Sequence, residues 1–318
     1  MRAHDFWKEV KKYRKTKSNV SSCVDGAVGP HEICNIFVKK YQDLHNSVGF
    51  KKEDLEDINA EISEKIYSNC FKGMCSNSHT ITVNIVCNAI KSLKQGKHDG
   101  NSYQMSDHFI HSSNKGKVFL SLLFQSILSH GTMPESLLLG TITPVPKNVR
   151  KSLNESINYR GITVSSVLGK ILDIILLQTN SNALSSSPLQ FGFKKDHSTS
   201  QCTFVTQEVI NYYVNNKSSI YCVLLDASQA FDRVNFVRLF NLLLKRQLCP
   251  LVARLIAFMY TQQKLRVKYC NVVSHTFSVT NGVKQGGILS PVLFVVYINE
   301  LFDRLHNYIL GVILEIPL

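Results

Sequence analysis

The sequence predicts an α+β fold, and three observations predict it. Apolar residues recur at helical spacing through much of the first 130 positions. After Gly140, apolar runs with strand character alternate with amphipathic stretches, and two runs near Leu265 and Phe277 have the period-two alternation of a hairpin. Hydrophobic residues make up 44% of the chain and charged residues 19%, which is the balance of a globular protein and not of a disordered one.

The N-terminal part is predicted to be mostly helical, with a loop-like break at 96–116. Its three helix signals, in order, are Pro30 followed by Ile33, Phe37 and Tyr41 on one face; a Thr82 cap with Val86, Ala89 and Ile90, ending near Gly96; and Val118 to Leu128, closed by Gly131 and Pro134. Residues 1–20 are rich in Lys and Arg, and we expect either a solvated leader or a basic arm for phosphates.

The part after Gly140 is predicted to alternate strands and helices. Its elements, in order, are a strand at 140–147; a helix capped by Ser165 or Ser166 and running through Ile175; a helix with a capping box at Ser198 and Gln201; a strand at 219–226, buried on both faces; two helices opened by Asn235 and Pro250; a hairpin of 265–269 with 277–279; and a helix after Ser290-Pro291.

Net charge narrows the class of partner. The formal charge is +13 and the pI is about 9.3, which favours nucleic acid first and an anionic membrane second. Equally, a basic charge can simply keep a protein soluble. We expect an intracellular protein with reduced thiols, because the N-terminus lacks a secretory signal and no apolar run is long enough to span a membrane. A cluster of Cys70, Cys75, His79 and Cys87 fits no common zinc spacing.

Asp226 ends the apolar run SIYCVLLD and is a candidate metal ligand. A buried carboxylate at a strand end is costly unless a positive charge lies beside it, and a strand end is a usual place for a Mg²⁺ ligand. The small side chain of Ala227 leaves its backbone carbonyl approachable as a second oxygen, and Phe231 is placed to wall a pocket beside the metal. Alternatively, Asp226 only caps the next turn. Asp232 is predicted to act as a local cap or to form a local salt bridge, for example with Arg233.

A glycine-rich loop and two cations are candidate binding groups. Glycines in NGVKQGG (281–287) let the backbone approach a flat partner such as a base, and Gln285 can both donate and accept hydrogen bonds. The alternative is an ordinary strand-to-helix turn. Lys147, after two prolines, and Arg160, after Tyr159, suit phosphate oxygens, although single cations of this kind are more often solvated.

These pieces, in this order, resemble the reverse transcriptases of non-LTR (LINE-type) retrotransposons. The matching stretches are ITPVPK (142–147), NYRGITVSSVLGKILD (158–173), LQFGFKKDHSTSQC (189–202), LLDASQAFDRV (224–234) and NGVKQGGILSPVLFVVYINEL (281–301). The resemblance implies the fingers and part of the palm of a right-hand polymerase at 128–318, C-terminally incomplete. It also implies that 1–127 are a helical connector or N-terminal extension with a basic leader.

The resemblance also implies a role for each matched residue. Asp226 would be the catalytic aspartate and, with the Ala227 carbonyl, a ligand of Mg²⁺. The other matched residues are substrate-binding: Phe231 at the gate against the ribose 2′-hydroxyl, Lys147 and Arg160 facing the triphosphate, and Gln285 with Gly286 positioning template and nucleotide. The implied partners are an RNA template, a DNA primer and dNTP. The implied location is the nucleus, without a membrane.

Two positions depart from the pattern of this family. Gly161 replaces a proline, a change that we expect to be tolerated. The other two metal ligands are adjacent aspartates, and the 318 residues contain no Asp-Asp pair. We expect them beyond Leu318, and we expect the chain by itself to be inactive. The alternatives are a non-catalytic nucleic-acid-binding remnant and a decayed, untranslated element.

Overall fold

The structure is a computed structural model that describes residues 21–72, 80–99, 104–148, 150–188, 190–194 and 196–308. It has the mixed helix and sheet architecture that the sequence predicts. The helices are α1 Pro30–Leu44, α2 Lys52–Lys65, α3 Val83–Lys91, α4 Ser106–Ile110, α5 Asn114–His130, α6 Glu135–Leu138, α7 Val167–Thr179, α8 Thr199–Asn215, α9 Phe236–Lys245, α10 Pro250–Thr261 and α11 Ser290–Tyr308.

Local signals place most of the helix starts. Side chains of Thr82, Ser166, Ser198 and Asn235 each accept a hydrogen bond from a backbone N–H in the first turn, as the sequence predicts. Proline begins α1 and α10. Gly131 ends α5 with φ 68°, a left-handed conformation that glycine adopts without strain.

The strands form a small hairpin and a five-stranded mixed sheet. Their bounds are β1 Cys23–Val24, β2 Ala27–Val28, β3 Leu139–Pro146, β4 Tyr159–Val164, β5 Lys264–Tyr269, β6 Val272–Val273 and β7 Phe277–Ser278. In the sheet, β3 is central: it pairs antiparallel with β4 and parallel with β5. β5 also pairs antiparallel with β6 and β7, which confirms the predicted hairpin.

The buried core runs across residue 128 without a break. Phe37 of α1 packs its ring against Tyr159 of β4 at 5.1 Å and against Tyr269 of β5 at 5.5 Å between centroids. Buried apolar residues from α1 to α11 belong to one cluster. The division into 1–127 and 128–318 therefore stays a prediction about sequence organisation, since the two parts share one hydrophobic core.

Gly161 is explained by this packing. A Cβ on Gly161 would lie 2.6 Å from Cε1 of Tyr41, a ring that is 3% exposed in the core. The Tyr41 ring of α1 therefore occupies the space that a side chain at position 161 would need.

The predicted buried strand at 219–226 is wrong. Residues 218–227, all of which the structure describes, form neither helix nor strand, and Tyr221, Leu224 and Leu225 are 91%, 81% and 76% exposed. An apolar composition indicates that burial of a segment would be energetically favourable. A strand also needs a neighbouring strand that hydrogen-bonds to its backbone N–H and C=O groups. Helices α2, α4 and α6 and strands β1, β2, β4 and β6 were not predicted. Helix α2 buries only Ile58 and Ile62 among charged residues, and α4 lies in the predicted break.

Some predictions fall outside the described residues. The basic leader at 1–20 does, and so do Cys75 and His79 of the cysteine cluster. Within the part of the chain that the structure describes, no three His, Cys, Asp or Glu side chains converge as a metal site would require. None of the helices in that part has the length and apolarity of a membrane span.

Candidate polymerase site

Asp226 and Ala227 lie on the exposed, extended segment before a turn. Both residues are exposed, and a turn at 228–230 follows, with Gln229 at φ 56°. A short 3₁₀ helix, Phe231–Arg233, connects this turn to α9. The structure therefore leaves the candidate metal ligand in solvent, while the residues a few positions later enter the body of the protein.

Phe231 is held between two other phenylalanines. Its ring stacks on Phe294 of α11, with 4.8 Å between centroids and 18° between planes. Phe193 meets it edge-on at 5.6 Å. Contacts of this kind fix a ring more firmly than burial alone. The candidate gate residue is thus half-buried and braced by α11, the helix that follows the glycine-rich loop.

The glycine-rich loop lies directly on β4. The backbone N–H of Thr163 donates to the carbonyl of Gln285 at 2.6 Å. Gly286 has φ 100°, and a Cβ there would lie 2.9 Å from the Thr163 carbonyl oxygen. Only glycine permits both the conformation and the approach. The sheet therefore supports the backbone on both sides of the Gln285 side chain.

A second set of backbone bonds joins the loop to the turn that carries Phe231. Gly282 N–H donates to the Val234 carbonyl and Val283 N–H to the Phe231 carbonyl, each at 2.8 Å. Gly282 has φ 93°, and a Cβ on it would lie 2.7 Å from the Asp232 carbonyl oxygen. The gate residue and the glutamine loop are consequently parts of one hydrogen-bonded unit.

Asn281 fastens this unit to the end of α1. Its side chain is fully buried and fully used: Nδ2 donates to the carbonyls of Leu44 at 3.0 Å and Asp232 at 2.6 Å, and Oδ1 accepts from Val48 N–H at 3.0 Å. The His45 ring contacts the Asn281 carbonyl through Nδ1 at 3.3 Å. Burial lowers the pKa of His45 to about 4, so its ring is neutral near pH 7.

Asp232 is buried beneath the loop, so the prediction that it pairs locally with Arg233 is wrong. It is 7% exposed, and its Oδ2 accepts a hydrogen bond from Gln285 Nε2 at 2.9 Å. Burial raises the pKa of this carboxyl group to about 6, although the Gln285 bond and the charges of Lys147 and Lys40 act in the opposite direction. A residue with no predicted role in the site thus places its carboxylate in direct contact with Gln285.

Asp173 of α7 holds the other end of the loop. Its carboxylate accepts a long hydrogen bond of 3.4 Å from Leu289 N–H, just before α11. Burial raises its pKa to about 6, while the charge of Lys284 opposes that shift. Burial also lowers the pKa of Lys284, and the charge of Asp173 partly offsets this. No local pattern predicts this pair, since Asp173 and Lys284 lie in separate matching stretches.

Lys147 and Arg160 lie together on the hairpin formed by β3 and β4. Lys147 N–H donates to the Asn158 carbonyl at 2.8 Å, and Arg160 pairs with Val145, two residues before Lys147. Strand alternation places both cations on one face, where both side chains are exposed. Repulsion from Lys147 adds to burial in lowering the pKa of Lys40 on α1 to about 8, so a third basic side chain lies close to Lys147.

The structure therefore joins some of the predicted residues and leaves others apart. Phe231, Gln285 and Gly286 belong to one bonded unit, and Lys147 acts electrostatically on its buried carboxylate. Asp226 and Ala227 precede this unit on an exposed segment. His45, Asn281 and Asp232 complete the unit, and the sequence analysis had assigned none of them to the site.

Comparison with known proteins identifies the family. The model of the family "Reverse transcriptase (RNA-dependent DNA polymerase)" matches residues 145–316, more than half of the chain. The chain is similar to the RNA-directed DNA polymerase from the mobile element jockey of Drosophila funebris, at 24% identity over 92% of this chain and 32% of that protein. It is also similar to the jockey polymerase of Drosophila melanogaster, at 27% identity over 58% of this chain and 20% of that protein.

A third relative is the probable RNA-directed DNA polymerase from transposon X-element of Drosophila melanogaster, at 26% identity over 58% of this chain and 20% of that protein. The chain spans about a third or less of the length of these curated relatives. The resemblance to retrotransposon polymerases that the motifs indicated is confirmed. This chain belongs to the reverse transcriptase family.

Proposed function

We propose that the chain is the RNA-directed DNA polymerase region of a non-LTR retrotransposon, which joins a dNTP to a primer 3′-hydroxyl on an RNA template. Residues 128–318 would supply fingers and part of the palm, and 1–127 an N-terminal extension. The observation that carries the proposal is the bonded unit of Phe231 and the Gln285 loop, lying beside the basic hairpin of Lys147 and Arg160. We propose nuclear action on the same family grounds.

The donor atoms at Asp226 fit a hard cation. A carboxylate and a backbone carbonyl are oxygen ligands, and Mg²⁺ is usually bound by one or two carboxylates together with waters and substrate phosphates. Asp226 and the Ala227 carbonyl would hold it. When bound, Mg²⁺ would neutralise charge on the attacking and leaving oxygens of the phosphoryl transfer.

The chain's own side chains would bind and orient the substrates. Lys147 and Arg160 would bind the triphosphate oxygens, since both are exposed cations on one face of the hairpin. Phe231, braced by Phe294, would leave no room for a ribose 2′-hydroxyl. Gln285 and Gly286 would position the template base and the nucleotide, because Gly286 exposes backbone to a flat partner.

Nucleotide binding tests the proposal directly. We expect a fluorescent dNTP to bind the chain in the presence of an RNA template–DNA primer hybrid and Mg²⁺, and Asp226→Asn to weaken that binding roughly tenfold, as loss of a charged ligand should. Asp57→Asn, an exposed carboxylate on α2, is the matched control and should change nothing. Equal binding by the wild type and Asp226→Asn would contradict the assignment of Asp226.

A second candidate is a non-catalytic nucleic-acid-binding remnant. It is favoured by the position of Asp226, which lies exposed on an irregular segment before the bonded unit. Both candidates predict hybrid binding that weakens steeply with salt, because cations neutralise phosphates. They differ in nucleotide binding, which a remnant would lack. We expect no primer extension by the 318 residues themselves, and robust extension in Mg²⁺ would establish polymerase activity outright.

A further inference from the structure

We infer that Asp232 is a positioning residue for Gln285: its buried carboxylate determines which end of the Gln285 carboxamide faces the substrates. The inference deepens the proposed function and rests on it for the identity of those substrates. Gln285 Nε2 donates to Asp232 Oδ2 at 2.9 Å. An ionised carboxylate only accepts hydrogen bonds, so the amide nitrogen must face Asp232 and the amide oxygen must point away from it.

The backbone makes this contact reproducible. Asp232 and Gln285 lie on two segments that exchange the bonds from Gly282 to Val234 and from Val283 to Phe231. The Asn281 side chain binds the carbonyl of Asp232 itself at 2.6 Å. With both main chains fixed, the two side chains have little freedom to meet in any other way. Such preorganisation is what a binding group needs from its neighbours.

The charges around Asp232 come from several elements. His45 Nε2, after α1, lies 3.9 Å from Oδ1, too far for a hydrogen bond. Lys40 on α1 and Lys147 after β3 attract the carboxylate electrostatically. The two lysines favour the ionised form and so favour the orientation of Gln285 described above, whereas the His45 ring is neutral near pH 7. Burial opposes ionisation of Asp232. A protonated Asp232 would be able to donate a hydrogen bond to the Gln285 amide oxygen, which would permit the opposite orientation of the Gln285 carboxamide.

A purely structural role fits this carboxylate poorly. A buried charge that burial itself disfavours is a costly way to fill space, and a neutral side chain of the same shape would stabilise the fold equally or better. Groups retained at such a cost are typical of functional sites. The two roles therefore predict opposite effects of Asp232→Asn: a structural residue loses stability, whereas a positioning residue keeps stability and loses control of Gln285.

The first test observes the amide directly and needs no activity. In the chain labelled with ¹⁵N-glutamine, the Gln285 side-chain signals are assigned by their loss in Gln285→Glu. We expect the chemical shifts of these signals to change as pH falls from 8 to 5 in the wild type and to stay constant in Asp232→Asn. The free energy of unfolding of Asp232→Asn, measured with urea at pH 8, should equal or exceed that of the wild type. Asp173→Asn, which removes the other carboxylate that contacts the loop, should preserve the shift. A shift that survives in Asp232→Asn would overturn the inference.

The second test measures hybrid binding in a double-mutant cycle. We expect Gln285→Ala and Asp232→Asn each to weaken binding of an RNA–DNA hybrid with its matched dNTP by up to roughly tenfold, the value of one good hydrogen bond. The double variant should bind no more weakly than Gln285→Ala, because Asp232 acts through Gln285. Additive losses would overturn the inference. If the wild type binds no hybrid, the proposed function fails, and the amide signals still decide whether Asp232 orients Gln285.

Discussion

Two apolar regions of this protein differ in burial: one forms the core, and the other is exposed to solvent. The body formed by α1, the sheet, α9 and the glycine-rich loop buries Phe37, Phe236 and Val283 completely. The segment from α8 to Ala227 is comparably apolar, yet Cys202 is the one residue of α8 that is buried, and Phe204 and Tyr212 are 63% and 66% exposed. An open depression of about 410 Å³ runs along that face of α8.

The difference shows that an apolar sequence is not sufficient for burial: the segment also needs a second element to pack against. In the body, each apolar face meets a second element, as Phe37 meets β4 and β5. In the segment at 199–227, the residues that the structure describes include no strand beside 219–226. Exposed apolar surface of this extent is typical of an interaction site. The predictions below test whether the two regions differ as sharply in energy as in exposure.

The two regions should differ most in the protection of their backbone amides from hydrogen exchange. We expect the amides of 219–227 to exchange hydrogen almost as fast as in an unfolded chain. The amides of β3, which pairs on both sides, should be protected by a factor on the order of 10³ or more. Hydrogen-exchange mass spectrometry of the purified chain measures both. Strong protection of 219–227 would mean that this segment pairs with a strand in solution.

The same substitution should have unequal effects in the two regions. Phe236→Ala removes a fully buried ring and should lower the free energy of unfolding by about 3–5 kcal/mol. Phe204→Ala removes a ring that is 63% exposed and should change it by less than about 0.5 kcal/mol. Urea denaturation of both variants provides the comparison. Similar losses would show that the α8 face is covered.

Substitution of Gly161 tests how tightly the body is packed. A Cβ there would lie 2.6 Å from the buried Tyr41 ring, so Gly161→Ala should destabilise the fold by about 1–3 kcal/mol. Gly116→Ala in α5 meets only ordinary contacts and should stabilise it by roughly 0.5–1 kcal/mol. Thermal or urea unfolding should show changes in stability of opposite sign for the two variants. An unchanged stability of Gly161→Ala would mean that the Tyr41 ring can move.

The last effect, similar in size to that of Gly161→Ala, concerns pH and His45. Its folded-state pKa of about 4 lies below the unfolded value of about 6.5, so the unfolded state takes up a proton first as pH falls. Stability from this group is therefore present above the unfolded pKa and is lost on acidification toward pH 4. Asp232 and Asp173, with pKa values raised to about 6, act in the opposite sense, because the folded state protonates first.

Comparison with His45→Gln isolates the histidine contribution. Between pH 7 and pH 5 the wild type should lose about 2 kcal/mol more unfolding free energy than the variant does. Urea titrations at the two pH values measure both losses. Identical pH dependence would show that His45 is not buried as a neutral ring in the folded protein.

The sequence by itself determined the capped helix starts and the family. Caps at Thr82, Ser166, Ser198 and Asn235 act within one helical turn, so their residues predict their structure. The order of the motifs identified a reverse transcriptase, and the candidate residues Phe231, Gln285 and Gly286 do lie in one unit.

Tertiary structure decided what local patterns cannot contain. Asp232 contacts Gln285, 53 positions away, and Asn281 contacts Leu44, 237 positions away, and neither pairing leaves a periodic trace in the sequence. The run at 219–226 shows the converse error, in which a strong pattern predicted a strand. Hydrogen bonds between strands and contacts between buried side chains depend on which distant segments come together.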